Sequence, residues 1–143
     1  MNHILTCSFG KDSIATALLA LQHGEPLDEL VYSEVMFSDT VSGELPEHKR
    51  FIYETAIPYF EKRGIPTRVL RGQKTYLDCF YRIVSRGNAE GKLASFPLTG
   101  RCSIQRDCKR PPMEPIWAQG QQGCRWYFAV GAVRRLFYGG EGV

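Results

Sequence analysis

The 143-residue chain lacks the sequence features that direct proteins into membranes or out of the cell. Its longest apolar runs are far shorter than the roughly 20 residues that a membrane-spanning helix needs. The opening residues, MNHILTCS, have neither the basic start nor the long apolar stretch of a secretory signal peptide. Tracts of low complexity and repeats of fixed period are also missing. We therefore expect a cytoplasmic protein that forms a single domain over residues 1–143 and has no membrane partner.

Cysteine occurs in an odd number and without the close spacing of a metal site or a disulfide framework. The five cysteines are at positions 7, 79, 102, 108 and 124, and the last histidine is His48. In a reducing compartment such cysteines are expected to be buried thiols, metal ligands or reactive groups rather than disulfides. A zinc site formed by Cys102, Cys108 and Cys124 is a minor alternative, because zinc ligands generally lie closer together in sequence.

Cys102 is the candidate nucleophile or sulfur carrier among these cysteines. It follows Arg101 directly and precedes Arg106 by four residues, and neighbouring cations favour a reactive thiolate. A purely structural thiol is the alternative at this position. Cys7 lies in the first apolar run and is expected to belong to the core.

Charge is distributed unevenly, although the whole chain carries a net charge of only +3. Residues 1–70 contain six Lys and Arg against ten Asp and Glu, whereas residues 71–143 contain twelve against five. The basic half suits a polyanion, either the phosphates of a nucleotide or the backbone of a nucleic acid. A solvated basic face explains the same charges equally well. The separated cations of this half are Arg71, Lys74, Arg82, Arg86, Arg101, Arg106, Lys109 and Arg110.

The spacing of apolar residues predicts strands and helices in alternation. Strands are predicted at residues 4–8, 30–37, 66–70 and 126–131. Helices are predicted at residues 13–23, 46–63 and 75–86, with a helical turn within 102–109. Pro58 is expected to kink the second helix, and Thr75 with Asp78 forms an approximate capping box at the start of the third. This order predicts an α/β fold with a doubly wound, mainly parallel sheet and helices on both faces.

The segment CSFGKDS, residues 7–13, joins the first predicted strand to the first predicted helix. A glycine-containing turn at this place lets backbone N–H groups and the helix dipole converge on an anion. Ser8 and Ser13 add hydroxyl donors and Lys11 adds a cation, whereas Asp12 suits a helix cap or a metal ligand. We predict that the loop binds phosphate, with a simple polar turn as the alternative. It carries neither the Walker pattern, GxxxxGK followed by Ser or Thr, nor the Rossmann pattern GxGxxG.

Three motifs in order resemble the PP-loop superfamily of adenine nucleotide α-hydrolase-like proteins, and in particular the phosphoadenosine phosphosulfate (PAPS) reductase family. SFGKDS, residues 8–13, is similar to the PP-loop SGGxDS. FSDTVSGELPEHKRF, residues 37–51, matches the second motif at Asp39-Thr40 and Pro46-Glu47, with His48 in place of a threonine. GRCSIQRDCKRPP, residues 100–112, is similar to the third through Arg101, Cys102 and Lys109.

This resemblance implies a doubly wound fold that binds ATP, PAPS or a related adenylate. It places the terminal phosphate or sulfate at the loop residues Ser8, Phe9, Gly10, Lys11, Asp12 and Ser13. Asp39 and Thr40 would lie near the adenosine or a magnesium ion, for which Asp12 is a second candidate ligand. Arg101 and Lys109 would close over the anion. The residues expected to carry the chemistry are Lys11, Asp12 and Cys102.

The chain departs from the family pattern near its end. In the segment WYFAVGAVRRLFYGG, residues 126–140, no acidic residue follows Gly131-Ala132, where relatives usually have one. Residues from about 120 to 143 are therefore expected to be divergent or truncated. Since no cysteine follows Cys124, the C-terminal redox arm of sulfonucleotide reductases has no counterpart here. The paired cysteines of adenylylsulfate reductases are missing as well, so we expect no iron–sulfur cluster.

The functions left open by these patterns belong to two classes. The first is an enzyme that acts at the phosphate or sulfate end of an adenine nucleotide. Such an enzyme would reduce PAPS with the help of a thiol donor protein, or would cleave ATP as a pyrophosphatase and adenylate a substrate. The second is a nucleic-acid-associated module, or an inactive truncated relative. A homo-oligomer is compatible with each of these functions.

Overall fold

The computed structural model describes residues 2–94, 102–120 and 124–128. Four strands are present: β1 (Asn2–Thr6), β2 (Glu29–Glu34), β3 (Thr67–Arg71) and β4 (Cys124–Phe128). Five α-helices accompany them: α1 (Lys11–Gln22), α2 (Pro46–Phe51), α3 (Ile57–Glu61), α4 (Tyr76–Phe80) and α5 (Glu114–Gly120). Two π-helical turns complete the described elements, the first at Ile52–Ala56 and the second at Gln105–Lys109.

The four strands form one sheet in the order β3-β2-β1-β4. Strand β1 runs parallel to β2, with Leu5 opposite Leu30, and parallel to β4, with Leu5 opposite Tyr127. Parallel neighbours need a crossover connection, and α1 supplies it between β1 and β2. The prediction of an α/β fold with a parallel sheet is therefore confirmed for the described residues.

The described chain divides into two compact units. Among the described residues, the first unit draws on 2–32, 46–69, 116–120 and 124–128, and the second on 33–45, 70–94 and 102–115. The core of the first unit consists of buried apolar side chains from β1, α1, β2 and the helices after residue 51. Its members are Leu5, Cys7, Phe9, Ala17, Leu30, Tyr32, Ile52, Ala56, Ile57, Phe60 and Ile65.

The long helix predicted over residues 46–63 is interrupted rather than merely kinked. Helix α2 passes into the first π-helical turn, and α3 follows directly. Pro58 lies at the start of α3 and has no N–H to donate to the carbonyl four residues earlier. The chain accommodates this loss by widening the preceding turn, so that the N–H of Ile57 donates to the carbonyl of Ile52.

Helix α4 begins where the sequence predicts but is shorter. The hydroxyl of Thr75 accepts from the backbone N–H of Asp78, whose carboxylate accepts from the backbone N–H of Thr75, and this confirms the capping box. The helix ends at Phe80 instead of continuing to about residue 86. The β-branched Ile83 pairs with Leu93 in an isolated antiparallel bridge, and this pairing competes with the helix.

Two further differences concern the end of the chain. Helix α5 is not predicted from the sequence, and β4 begins two residues before the predicted strand at 126–131. Residues 129–131 of that prediction lie outside the described residues. Within the described part, every helix is too short or too polar to cross a lipid bilayer.

Candidate functional site

The predicted phosphate loop connects the carboxyl end of β1 to the start of α1, as the sequence predicts. Ser8 is exposed, whereas Ser13 is buried, and their hydroxyl oxygens lie 3.3 Å apart. The hydroxyl of Ser13 donates to the carbonyl of Gly10 over 3.0 Å. The N–H of Gly10 points towards the hydroxyl of Ser8 at 3.4 Å. The two serines therefore close a small ring of polar contacts around the loop.

The start of α1 presents backbone donors without a side-chain cap. Gly10 is the N-cap residue, and no side chain caps the helix there. The first helical bond inside α1 runs from the N–H of Ile14 to the carbonyl of Gly10, at 3.0 Å. The N–H groups of residues 11–13 precede that bond and lie at the positive end of the helix dipole. Lys11 and Asp12 are exposed beside them, so this helix start is chemically suited to an anion.

Phe9, rather than Gly10, has the unusual backbone conformation in this loop. Its φ angle of 56° lies in the left-handed region, which is uncommon for a bulky side chain, whereas Gly10 has a φ of −75°. The side chain of Phe9 is buried and meets the ring of Tyr32 edge-on, with ring centroids 5.4 Å apart. Burial and packing therefore hold a strained residue at the centre of the loop.

His48 contacts the loop from α2, a role that the sequence does not predict. Its Nε2–H donates to the carbonyl oxygen of Phe9 over 3.1 Å. In the sequence, His48 stands at the position where the second motif described above has a threonine. That substitution is the one signal in the sequence that could have identified it.

Cys7, the residue before the loop, is buried as predicted and is a poor nucleophile. Burial raises the pKa of its thiol, and contacts with the Ser13 side chain and the Phe9 backbone lower it in part. The thiol is therefore protonated at neutral pH, since the usual value is already 9.0.

The other predicted ligand residues belong to the second unit. Asp39, Thr40 and Lys109 are exposed, and the carbonyl of Lys109 accepts a hydrogen bond from the hydroxyl of Ser33 over 3.0 Å. Arg101 lies outside the described residues. The structure thus groups Ser8, Phe9, Gly10 and Ser13 at one place. The association of the loop with Asp39, Thr40, Arg101 and Lys109 remains a prediction.

The candidate metal ligands do not form a cluster in the described residues. Cys102 is exposed, Cys108 is buried, and Cys124 is the first residue of β4. Across residues 2–94 and 102–118, no three His, Cys, Asp or Glu side chains lie close enough together to hold a metal ion. A zinc site that includes Cys124 remains a prediction. Magnesium at Asp12 or Asp39 remains a prediction.

Several of the cations of the basic half are paired with carboxylates. Arg106 forms two hydrogen bonds to Asp107, of 2.6 and 2.7 Å, and holds the pKa of that carboxyl below its usual range. Arg110 contacts Glu114 at 3.1 Å, one helical turn away. Such pairs reduce the positive charge that a nucleic-acid backbone would meet, so they weaken the prediction of a nucleic-acid module.

A buried carboxylate at the end of β2 is a further feature that the sequence does not predict. The side chain of Glu34 is completely buried, and Arg71 donates to its Oε2 over 2.8 Å. The hydroxyl of Ser42 donates to Oε1 over 2.7 Å. A buried charge requires such partners. Through these contacts, Glu34 links the segment after β2 to the end of β3.

Two buried thiols lie side by side in the second unit. Sγ of Cys79, on α4, is 3.4 Å from Sγ of Cys108, on the second π-helical turn. The thiol of Cys108 also donates to the carbonyl of Thr75 over 3.4 Å. Burial, together with the neighbouring Cys79, raises the pKa of Cys108 from 9.0 to about 12. Cys108 therefore stays protonated in the folded protein at neutral pH.

This raised pKa predicts a loss of stability in alkaline solution. Above pH 9.0 the unfolded chain releases the Cys108 proton, whereas the folded chain keeps it up to about pH 12. The free energy of unfolding should therefore fall as the pH rises through this window, by about 1.4 kcal/mol per pH unit for one proton. Urea unfolding in the presence of a reductant measures the fall.

A Cys108→Ala variant is the control for the alkaline effect. It lacks the titrating thiol, so its stability should decrease more slowly with pH than that of the parent. Parallel decreases in both proteins would show that Cys108 is not responsible.

No family model, no curated protein and no solved structure matches the chain.

Proposed function

We propose that the chain is an adenine-nucleotide-binding enzyme of the PP-loop type, similar to PAPS reductases, which acts at the phosphate or sulfate end of PAPS or ATP. The observation that carries the proposal is the junction of β1 and α1. There an uncapped helix start, two serine hydroxyls 3.3 Å apart and an exposed lysine lie within one short loop. In a doubly wound sheet, ligands bind at this end of the strands.

The loop would bind the anion mainly through its backbone. The N–H groups of residues 11–13 and the dipole of α1 attract negative charge, and the hydroxyl of Ser8 is exposed as an additional donor. The hydroxyl of Ser13 donates to the Gly10 carbonyl, so it would exchange that bond for one to the ligand. Lys11 would contribute a positive charge from the first turn.

The loop is held in shape before a ligand arrives. The buried Phe9 ring and the bond from His48 to the Phe9 carbonyl support its left-handed backbone. A preshaped loop avoids part of the entropy that ordering on binding would cost. This support favours a ligand site over a polar turn that merely connects two elements.

The chemistry depends on which nucleotide binds. ATP cleavage would need a magnesium ion on the leaving pyrophosphate, and Asp12 and Asp39 are alternative candidates for its ligand. Reduction of PAPS would need a reactive thiol, and Cys102 is exposed and therefore accessible to a thiol donor protein.

Calorimetric titration with ATP, PAPS and adenylylsulfate, each with and without magnesium, tests the proposal. Magnesium-dependent binding of ATP would support the pyrophosphatase chemistry, and magnesium-independent binding of PAPS would support reduction. A nucleotide pocket should lose little affinity as salt is raised, whereas a nucleic-acid backbone site should lose affinity steeply. Failure of all three nucleotides to bind would overturn the proposal.

Replacing Ser13 with alanine should weaken nucleotide binding about ten- to hundred-fold. A hydrogen bond to a charged ligand contributes about 1.5–3 kcal/mol, and the variant removes that hydroxyl but keeps the backbone N–H. The free energy of unfolding should decrease by only about 1 kcal/mol, through loss of the bond to the Gly10 carbonyl. Titration and urea unfolding separate the two effects.

Ser85→Ala is the matched control for this variant, because Ser85 is exposed and lies far from the loop in sequence. It should bind the nucleotide like the parent. Unchanged affinity in the Ser13→Ala variant would place the anion elsewhere in the protein.

A further inference from the structure

Cys79, whose buried thiol lies beside that of Cys108, lines a cavity that the nucleotide proposal does not use. The cavity lies within the second unit, has a volume of about 440 Å³ and is lined by side chains of α4 and the second π-helical turn. Its lining residues are Lys74, Leu77, Asp78, Cys79, Tyr81, Arg82 and Asp107. A volume of this size accommodates a small organic molecule.

The two sulfur atoms are positioned for a covalent bond. Their separation of 3.4 Å exceeds a disulfide bond length by only about 1.4 Å. The thiol of Cys108 donates to the Thr75 carbonyl, and the backbone N–H of Cys79 donates to the same oxygen over 3.3 Å. The pair is therefore built into the fold rather than brought together by chance rotamers.

We propose that Cys79 and Cys108 form a dithiol–disulfide couple that exchanges two electrons with a small, carboxylate-bearing disulfide entering this cavity.

The cavity assigns different roles to the two sulfurs. Cys79 lines it and is the sulfur that an entering molecule meets, whereas Cys108 does not line it. The raised pKa of Cys108 also makes it the slower nucleophile at neutral pH. Cys79 is therefore the attacking thiol, and Cys108 is the resolving thiol.

The reaction balances in two exchange steps. Cys79, as a thiolate, attacks one sulfur of the entering disulfide, so a mixed disulfide forms and the other half leaves as a thiolate. Cys108 then loses its proton and attacks Sγ of Cys79, which forms the Cys79–Cys108 bond and expels the second half as a thiolate. The protein loses two electrons and two protons, and the entering disulfide becomes two thiols.

The charges around the cavity favour an acidic substrate. Arg106 pairs with the carboxylate of Asp107 and offsets its charge. The carboxylate of Asp78 accepts from the N–H and hydroxyl of Thr75, at 2.7 and 2.8 Å, and keeps its negative charge. Lys74 and Arg82 also line the cavity, so positive charge remains in excess there and can attract a carboxylate of a ligand.

The test uses the full chain with Cys102→Ser, which removes the exposed thiol and leaves four cysteines. Incubation with glutathione disulfide should reduce the number of free thiols from four to two. Peptide mapping without reductant should then identify a fragment cross-linked through Cys79 and Cys108. Absence of that cross-link at full reaction with the probe would overturn the couple.

Two further variants in the same background test the roles. Cys108→Ser should accumulate a glutathione adduct on Cys79, because the resolving thiol is missing, and Cys79→Ser should leave Cys108 unmodified. An adduct that forms first on Cys108 would overturn the assignment of attacking and resolving thiols. The cross-link in the Cys102→Ser protein decides the proposal even if either of these variants folds poorly.

A comparison of probes tests the substrate class. Cystamine is a smaller disulfide that carries amino groups and no carboxylate, whereas glutathione disulfide carries both. Formation of the Cys79–Cys108 bond should be several-fold slower with cystamine than with glutathione disulfide at low salt. An equal or faster rate with cystamine would overturn the preference for carboxylates.

Discussion

Replacing Arg71 with methionine is expected to lower the free energy of unfolding by about 3 kcal/mol. The variant removes the guanidinium that contacts Oε2 of Glu34 at 2.8 Å, and the carboxylate of Glu34 is completely buried. A buried charge that loses its partner keeps its desolvation cost without compensation. The hydroxyl of Ser42 still donates to Oε1 in the variant, but it carries no positive charge. Urea unfolding at neutral pH measures the loss.

The loss of stability in the Arg71→Met variant should depend on pH. The loss comes from the negative charge of the buried Glu34, so it should disappear once the carboxyl is protonated. The difference from the parent should therefore be largest at neutral pH and should shrink as the solution is acidified.

Arg68→Met is the matched control, since Arg68 lies on the same strand and also forms a two-pronged pair with a glutamate. It contacts Glu29 at 2.7 and 2.9 Å, but the Glu29 side chain retains 17% exposure. Exposed pairs contribute little, so this variant should lose less than about 1 kcal/mol. Equal losses in the two variants would show that burial of Glu34 is not the cause.

Replacing Gly72 with alanine should cost about 2–3 kcal/mol of unfolding free energy. A Cβ atom at this position would overlap the carbonyl oxygen of Cys108 and would lie 3.2 Å from its carbonyl carbon. The obstacle is backbone rather than the end of a flexible side chain, so the chain itself must move. Urea unfolding measures the cost, and the rate of Cys79–Cys108 cross-linking should fall as well, because the displaced backbone carries the Cys108 thiol.

Gly10→Ala is the control for the effect of an added methyl group. Gly10 has a φ of −75°, which suits alanine, and its nearest obstacle is the hydroxyl oxygen of Ser8 at 3.5 Å. The free energy of unfolding should fall by less than about 1 kcal/mol, because alanine caps a helix less well than glycine does. If Gly72→Ala were as mild as this control, the close approach to Cys108 would not constrain the fold.

Local sequence patterns predict the parts of the fold that depend on neighbouring residues. Strand β1, the loop and α1 are found where apolar spacing and the polar turn place them. The capping box at Thr75 and Asp78 follows equally from two residues three positions apart. The π-helical turns are not predictable in this way, because a single wider turn hardly alters the spacing of apolar residues.

The features of the site that the sequence does not predict depend on contacts between residues that are far apart along the chain. In the sequence, Glu34 looks like an ordinary strand residue, because its partner Arg71 lies 37 positions later. The pattern suggests Gly10 as the residue with special backbone freedom, yet Phe9 adopts the left-handed conformation because its ring is held in the core. Likewise, Cys79 and Cys108 are 29 positions apart, so the sequence does not reveal that their thiols are neighbours.

The pairing of β1 with β4 has a consequence for how the protein folds during synthesis. Asn2 lies opposite Cys124 and Thr6 opposite Phe128, so nearly the whole chain separates the two partners. During synthesis, the edge of β1 that pairs with β4 stays unpaired until residues 124–128 have left the ribosome. Open edges invite pairing with other chains, so nascent or truncated forms that end before residue 124 should aggregate more readily than the full chain.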